Sequence, residues 1–183
     1  MAKPRMAAVA VLVSVALIGG CGKTRKEFER QLEICTVGEN NGVLAAAAEA
    51  CGNALDIAQQ HEFPPEEVSD LSYRLGLIER QQGNFKEAEV LVRASLDFEV
   101  QIADSAGIAS RLVELAVSLA GQNRWDEGAE LLTRAEAHVQ SLAGSERKDA
   151  MNALRGYAAQ ARKQGDSETA ERFTSLALEL ATE

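Results

Sequence analysis

Apolar side chains recur at helical spacing along most of the chain, and short breaks containing glycine or asparagine separate the helical stretches. In one segment, Leu71, Leu75 and Ile78 fall on a single helical face. A Gly83-Asn84 break follows, and a second apolar stripe occupies residues 91–96. Strand-like alternation is not evident over any useful window. The pattern therefore predicts an all-α chain built from helix, tight turn and helix.

The same two-helix pattern returns at spacings of about 41 residues. In the clearest copy, Leu75-Gly76 lie on the first helix, Gly83 stands at the turn, Phe85 follows two places later, and Ala88 lies on the second helix. In the next copy the matching residues are Leu115-Ala116, Asn123, Trp125, Glu127-Gly128 and Arg134-Ala135. In the last copy they are Tyr157-Ala158, Gly165-Asp166, Ala170 and Ala177. A weaker copy near the N-terminus has Ile34-Cys35, Gly42, Ala47, Cys51 and Ala54.

This combination of positions resembles the tetratricopeptide repeat (TPR), and the spacing is similar to that of its long-helix variants. The resemblance implies antiparallel helical hairpins that stack as a right-handed superhelix of about three to four repeats over residues 24–183. The repeat ranges are 24–62, 64–103, 106–142 and 145–183. Thr24 and Glu27 would form a capping box that begins the first helix. A generic antiparallel helical bundle with short glycine turns is the alternative.

The N-terminal residues have the pattern of an export signal. Lys3 and Arg5 form a positively charged start, and an almost wholly apolar run extends from Met6 to Ile18. That run is too short for a permanent transmembrane helix, which needs roughly 20 apolar residues. It suits the hydrophobic region of a secretory signal. No later segment approaches a transmembrane length.

The run ends in Ile18-Gly19-Gly20-Cys21, which resembles the lipobox of bacterial lipoproteins. The resemblance implies a signal peptide over residues 1–20, and a lipidated N-terminus with a short linker over residues 21–23. Cys21 would carry S-diacylglyceryl and N-acyl groups, and two or three acyl chains make a lasting anchor because each buried methylene contributes about 0.8 kcal/mol. An ordinary signal peptide followed by an incidental cysteine is the alternative. Gly22 occupies the place where aspartate would retain a lipoprotein at the inner membrane, so we expect the periplasmic side of the outer membrane.

The composition after the signal limits the kinds of partner. Without Lys3 and Arg5, the 19 basic residues of the chain fall to 17 against 28 acidic residues, a formal net charge of −11. This balance argues against nucleic acid and against a basic membrane-binding surface. Aromatic residues are few, and the only prolines after the signal are Pro64 and Pro65. Such a composition is typical of an all-helical protein.

Cys35 and Cys51 are the only cysteines besides Cys21. An exported chain meets an oxidising compartment, where two such cysteines favour a disulfide. The repeat resemblance implies that they pair, because Cys35 takes the small place on the first helix and Cys51 the apolar place on the facing helix. Two buried free thiols are the alternative. No Cys-x-x-Cys motif is present to suggest a redox-active role.

Residues with catalytic or metal-binding chemistry are few. His61 and His138 do not sit in a recognisable metal or triad spacing. Acidic pairs such as Glu66-Glu67 lie at helix starts, where they favour the helix dipole, and no phosphate-binding glycine loop is present. We therefore expect neither enzymatic activity nor a metal or cofactor, apart from the covalent lipid on Cys21.

Binding of a protein partner is the function that the TPR resemblance implies. In that family, the first helices of the hairpins line a concave groove that takes extended peptides or helices. The groove residues carried over to this chain are Tyr73, Leu77, Arg80, Val113, Val117, Asn152, Arg155 and Arg162. The three arginines could pair with acidic groups of a partner, although the family's two-carboxylate clamp is not reproduced. For any one of these residues, a solvated helix face is the alternative.

The last repeat carries Phe173, Leu176 and Leu180 at helical spacing, and no solvating helix follows it. These side chains either expose an apolar surface for self-association or pack inward on their own hairpin, which is the arrangement that we expect. A homo-oligomer formed through this uncapped end is a further hypothesis.

The sequence thus predicts a non-enzymatic, membrane-anchored scaffold or assembly factor of the bacterial cell envelope, of the pilus, secretion or outer-membrane biogenesis type. Envelope proteins would bind its concave repeat face. The alternative is an adaptor or regulator of an envelope enzyme such as a peptidoglycan hydrolase.

Overall fold

The computed structural model describes the backbone of residues 18–182 and the side chains of residues 22–182. Most of the predicted export signal, and the side chain of Cys21, lie outside the described residues. The helices are α1 (Ile18–Asn40), α2 (Leu44–Gln60), α3 (Pro65–Gln81), α4 (Phe85–Ile102), α5 (Ser105–Gly121), α6 (Trp125–Ala135), α7 (Gly144–Gln164) and α8 (Ser167–Glu179), with a 3₁₀ turn at Val139–Ser141. The described part of the chain contains no strand, and the all-α prediction is confirmed.

Successive helices pair as four hairpins, and each hairpin stacks on the next. The pairs are α1 with α2, α3 with α4, α5 with α6, and α7 with α8, and α2 packs on α3 as α4 packs on α5. Stacking is needed because a single hairpin leaves one face uncovered.

A residue with positive φ stands at every junction between these helices. The turns within hairpins have it at Gly42, Gly83, Asn123 and Gly165, and those between hairpins at Glu62, Ala103 and Gly144. At the Gly83 turn, the amide of Asn84 donates back to the carbonyl of Glu79 at 2.9 Å, which closes the end of α3 as in a Schellman motif. The turn residues that the sequence singled out therefore end the first helix of each hairpin.

The first helix begins earlier than the sequence predicts. The chain is helical from Ile18 to Asn40 and contains no proline over this range, so residues 21–23 are part of α1. Thr24 therefore lies more than a turn inside the helix, and its expected role as N-cap is wrong. The carboxylate of Glu27 instead accepts hydrogen bonds from Arg30 at 2.5 and 3.0 Å and from Gln31 at 2.9 Å.

The apolar core forms two clusters that meet within the second hairpin. One cluster contains buried residues of α1, α2 and α3, from Phe28 to Ile78. The other contains buried residues from Val92 of α4 to Leu180 beyond α8. The seam between the clusters thus runs between α3 and α4, and the second hairpin belongs to both.

Cys35 of α1 and Cys51 of α2 form the disulfide that the sequence predicted, with their Cα atoms 5.2 Å apart. Both residues are fully buried. The α2 side of this core consists mostly of alanine, including Ala47 and Ala54, which bury little apolar area. A crosslink over 16 positions stabilises by about 3 kcal/mol in the chain-entropy model. The bond therefore compensates for a first hairpin that is poor in large apolar side chains.

The last hairpin packs inward, as expected. Phe173 and Leu180 are buried and Leu176 is half-buried against the second cluster. The Phe173 ring meets the edge of Tyr157 on α7, with ring centroids 6.4 Å apart. Leu178 is the large apolar side chain of α8 that is exposed to solvent. Within the part of the chain that the structure describes, no helix is long and apolar enough to cross a membrane.

Candidate binding site on the inner face

The first helices of the hairpins, α1, α3, α5 and α7, form what we call the inner face. A cavity of about 310 Å³ lies on it where α3, α5 and α7 meet, and we call this the inner cavity. Its lining residues are Arg80 of α3, Val113, Glu114, Val117 and Ala120 of α5, Trp125 of α6, and Asp149, Asn152, Ala153, Gly156 and Tyr157 of α7.

Four of the predicted groove residues, Arg80, Val113, Val117 and Asn152, come together in the inner cavity. The other four lie elsewhere. Tyr73 lies beneath the guanidinium of Arg111, 4.0 Å from the ring centroid, and Leu77 is half-buried on α3. Arg155 is exposed on α7, and Arg162 donates a hydrogen bond of 2.6 Å to Thr174 of α8.

The apolar wall of the cavity depends on the position of Tyr157. Its hydroxyl donates a hydrogen bond of 2.6 Å to the carbonyl of Ala116, which joins α7 to α5. Its ring meets Trp125 edge-on, with centroids 5.0 Å apart. A Cβ atom at Gly128 would overlap the hydroxyl of Tyr157, so glycine at this repeat position leaves room for the ring. Burial also raises the pKa of Tyr157, which keeps the hydroxyl available as a donor.

The polar floor of the cavity is an ion pair between Arg80 of α3 and Glu114 of α5. The Glu114 side chain is only 8% exposed. Desolvation raises its pKa to about 7, although the charge and hydrogen bond of Arg80 act in the opposite direction. Arg80, which the sequence offered to an acidic partner, therefore already has a carboxylate partner within the chain.

Further arginines along the inner face also pair with carboxylates of neighbouring helices. Arg25 of α1 donates to Glu67 of α3 at 2.8 Å, and Arg74 of α3 pairs with Glu39 of α1. These contacts tie consecutive first helices together and neutralise the arginine charge.

The most buried polar contact of the stack lies at the seam between the two core clusters. Arg111 of α5 pairs with Glu99 of α4 at 2.9 Å, and the two side chains are 8% and 6% exposed. Arg111 also donates to the hydroxyl of Ser95 on α4 at 3.1 Å. The Ser95 hydroxyl in turn lies 2.9 Å from the hydroxyl of Ser69 on α3. Desolvation raises the pKa of Glu99, so the arginine offsets a real burial penalty.

Sequence reasoning missed two acidic residues of the inner cavity, Glu114 and Asp149. The helical spacing could have found them. Glu114 lies three positions before the predicted Val117, and Asp149 three before the predicted Asn152, so each shares a helix face with a groove residue.

The two histidines lie away from the inner cavity. His61 is exposed at the turn after α2. The ring atom Nδ1 of His138 lies 3.3 Å from the hydroxyl of Ser105 at the start of α5. Among residues 22–182, no group of three or more histidine, cysteine or acidic side chains is arranged to hold a metal ion.

No protein-family model matches the sequence, and no curated protein matches it. Solved structures do match. The chain superposes on BtubC (BKLC) from P. vanneervenii with a TM-score of 0.68 and 21% identity, over 80% of this chain and 60% of that one. A protein from Podospora anserina, described as a kinesin light chain with nearly identical TPR-like repeats, also matches. The TM-score is 0.65 and the identity 17%, over 84% of this chain and 74% of that one.

The apo form of the quorum sensor NprR from B. thuringiensis also matches, with a TM-score of 0.65 and 14% identity, over 88% of this chain and 44% of that one. The chain thus spans 60% of the length of BtubC and 44% of that of NprR. At such identities the likeness concerns the fold. The fold is a TPR-like helical repeat solenoid, as the repeat pattern predicted.

The raised pKa of Glu114 predicts a specific pH dependence of stability. Because its pKa rises from 4.5 to about 7 on folding, the folded state holds this proton more tightly, and the resulting stabilisation is lost between those two values as the pH rises. Relative to Glu114→Gln, the wild-type free energy of unfolding should fall by at most about 3.5 kcal/mol over this range, at about 1.4 kcal/mol per pKa unit. Urea unfolding of both proteins from pH 4 to 8 measures this difference. Free energies of unfolding that change in parallel with pH in the two proteins would contradict a raised pKa for Glu114.

Proposed function

We propose that this protein is a non-enzymatic, lipid-anchored scaffold of the bacterial cell envelope that binds a segment of a partner protein in the inner cavity. The observation that carries the proposal is the cavity itself. Apolar side chains of α5 and two aromatic rings form its walls, and an internally neutralised ion pair forms its floor.

The position of the cavity supports a protein segment as the ligand. Stacked repeats create extended binding surfaces along their first helices, and this cavity opens on such a surface, between α3, α5 and α7. Its polar groups sit beside apolar walls, which is how binding pockets combine affinity with orientation. An extended segment or a helix could run along the inner face and place one side chain in the cavity.

The lipobox-like tetrad at residues 18–21 supports the membrane anchor. Cleavage before Cys21 would leave a lipidated cysteine on the first turn of the remaining α1. Phe28, the first buried core residue of that helix, follows seven positions later, which is about 10 Å along an α-helix. The stack would therefore be held close to the membrane, on the periplasmic side of the outer membrane given Gly22. We propose a role in assembling a pilus, a secretion channel or the outer membrane itself.

Removal of the anchor cysteine tests the membrane part of the proposal. Cys21→Ser should abolish lipidation and cleavage before residue 21, because serine offers no thiol for the diacylglyceryl group. The protein should then lack acyl groups and keep residues 1–20, and it should not reach the outer-membrane fraction. Cell fractionation and intact-mass measurement check this. The double variant Cys35→Ala/Cys51→Ala is the control and should keep the lipid. A Cys21→Ser protein that is still processed and stays in the membrane would refute the anchor.

Obstruction of the inner cavity tests the binding part. Val117→Arg would place a long charged side chain in the cavity, whereas Val90→Arg makes the same change on α4, where the valine is 62% exposed. Capture from detergent-solubilised membranes, quantified by mass spectrometry, should recover an envelope protein that Val117→Arg loses and Val90→Arg retains. Equal recovery by both variants would place the binding surface elsewhere.

A further inference from the structure

Resting on the proposed function, we infer that the partner segment presents a lysine or arginine side chain to Asp149 and an aliphatic side chain to the adjoining inner cavity. Two features of the inner face lead to this chemistry. One is the negative charge that remains after the arginines have paired within the chain, and the other is the apolar wall beside that charge.

Asp149 supplies negative charge at the rim of the cavity. It is exposed on α7 and belongs to the cavity lining. Among residues 22–182, no hydrogen bond or ion pair joins its carboxylate to another side chain. Burial is the main cause of the raised pKa of Glu114 at the cavity floor, and the negative charge of Asp149 raises it further. The charge of Asp149 therefore acts on the interior of the cavity. A cation at this rim would therefore be attracted by Asp149 and, through the floor, by Glu114.

Glu146 extends the acidic rim by one turn of α7. It is half-buried, and its charge contributes to the raised pKa of Tyr73 on α3, of which burial is the main cause. Glu146 therefore lies within electrostatic range of Tyr73 on α3. Lys148, the residue before Asp149, and Arg155, six positions after it, do not line the cavity.

The arginines of α3 and α5 near this rim already have carboxylate partners, and Arg147 of α7 donates to the carbonyl of Leu142 at 2.9 Å. Arg80 pairs with the buried Glu114, and Arg111 with the buried Glu99. An acidic partner would have to take one of these arginines away and leave a buried carboxylate without compensation, which is strongly unfavourable. A basic partner needs no such exchange, and the formal net charge of −9 for the whole chain favours its approach at long range.

The apolar part of the cavity defines the second element of the partner segment. Val113, Val117 and Ala153 lie beside the rings of Trp125 and Tyr157. The aliphatic side chains have no hydrogen-bonding group, and the Tyr157 hydroxyl and the Trp125 N–H already donate to Ala116 and Asn123. An aliphatic side chain is therefore the group that gains most from burial there. Because Asp149 and Ala153 are one turn apart on α7, the basic and aliphatic side chains would be neighbours in the bound segment.

Selection of peptides from a random library tests this chemistry without a known partner. Phage-displayed random dodecapeptides are panned on the full-length protein in detergent, and in parallel on Val117→Arg, Asp149→Lys and Asp97→Lys. Asp97 is exposed on α4, so its replacement makes the same charge reversal away from the inner face. Circular dichroism and thermal unfolding verify that each variant is folded.

We expect the peptides that are enriched on the wild type and lost on Val117→Arg to carry lysine or arginine next to leucine, isoleucine, valine or methionine. Their binding should weaken at least tenfold on Asp149→Lys and stay unchanged on Asp97→Lys. Enrichment of acidic or uncharged peptides that still depend on Val117 would overturn the charge inference and leave the groove function standing. If no enriched peptide depends on Val117, the inference and the proposed groove fail together.

Discussion

The buried ion pair between Arg111 and Glu99 holds the stack together where its hydrophobic core is divided. The two apolar clusters meet between α3 and α4. Arg111 of α5 contacts both sides of this seam, because it bonds to Glu99 and Ser95 of α4 and lies over the ring of Tyr73 on α3. Burial of either charge alone would be strongly unfavourable. The pair therefore favours one arrangement of the second hairpin on the third, and the shape of the inner face follows from that arrangement.

The same kind of contact determines the electrostatics of the inner face. Arginine–carboxylate pairs join α1 to α3 and α3 to α5, so that the arginines strengthen the stack and are not offered to a ligand. At α7 the balance changes, because Asp149 lies at the rim of the inner cavity without such a partner among the described residues. Stability and proposed specificity thus rest on the same kind of group within the described part of the chain: carboxylates that pair with arginines between helices, and one carboxylate at the cavity rim that does not.

The sequence predicted the fold better than the site. Turn residues such as Gly83 and Asn123 mark local backbone geometry, which a periodic pattern reveals directly, and Cys35 and Cys51 were placed correctly because the repeat fixes their register. Arg80 was predicted correctly as a cavity residue, but its partner Glu114 was missed. The sequence around one charged residue does not show which side chains of another helix will pack against it. The start of α1 was misplaced because the capping motif at Thr24 and the glycines before it favour a later start, whereas no proline stops the helix from extending back to Ile18.

A double-mutant cycle on the pair at the seam tests the central claim most directly. The free energies of unfolding of the wild type, Glu99→Gln, Arg111→Met and the double variant are measured by denaturant titration of the full chain. Each single change should be strongly destabilising, and the double variant should be less destabilised than the sum by at least about 1.5 kcal/mol. If the two changes are additive within about 0.5 kcal/mol, Arg111 and Glu99 do not hold the seam.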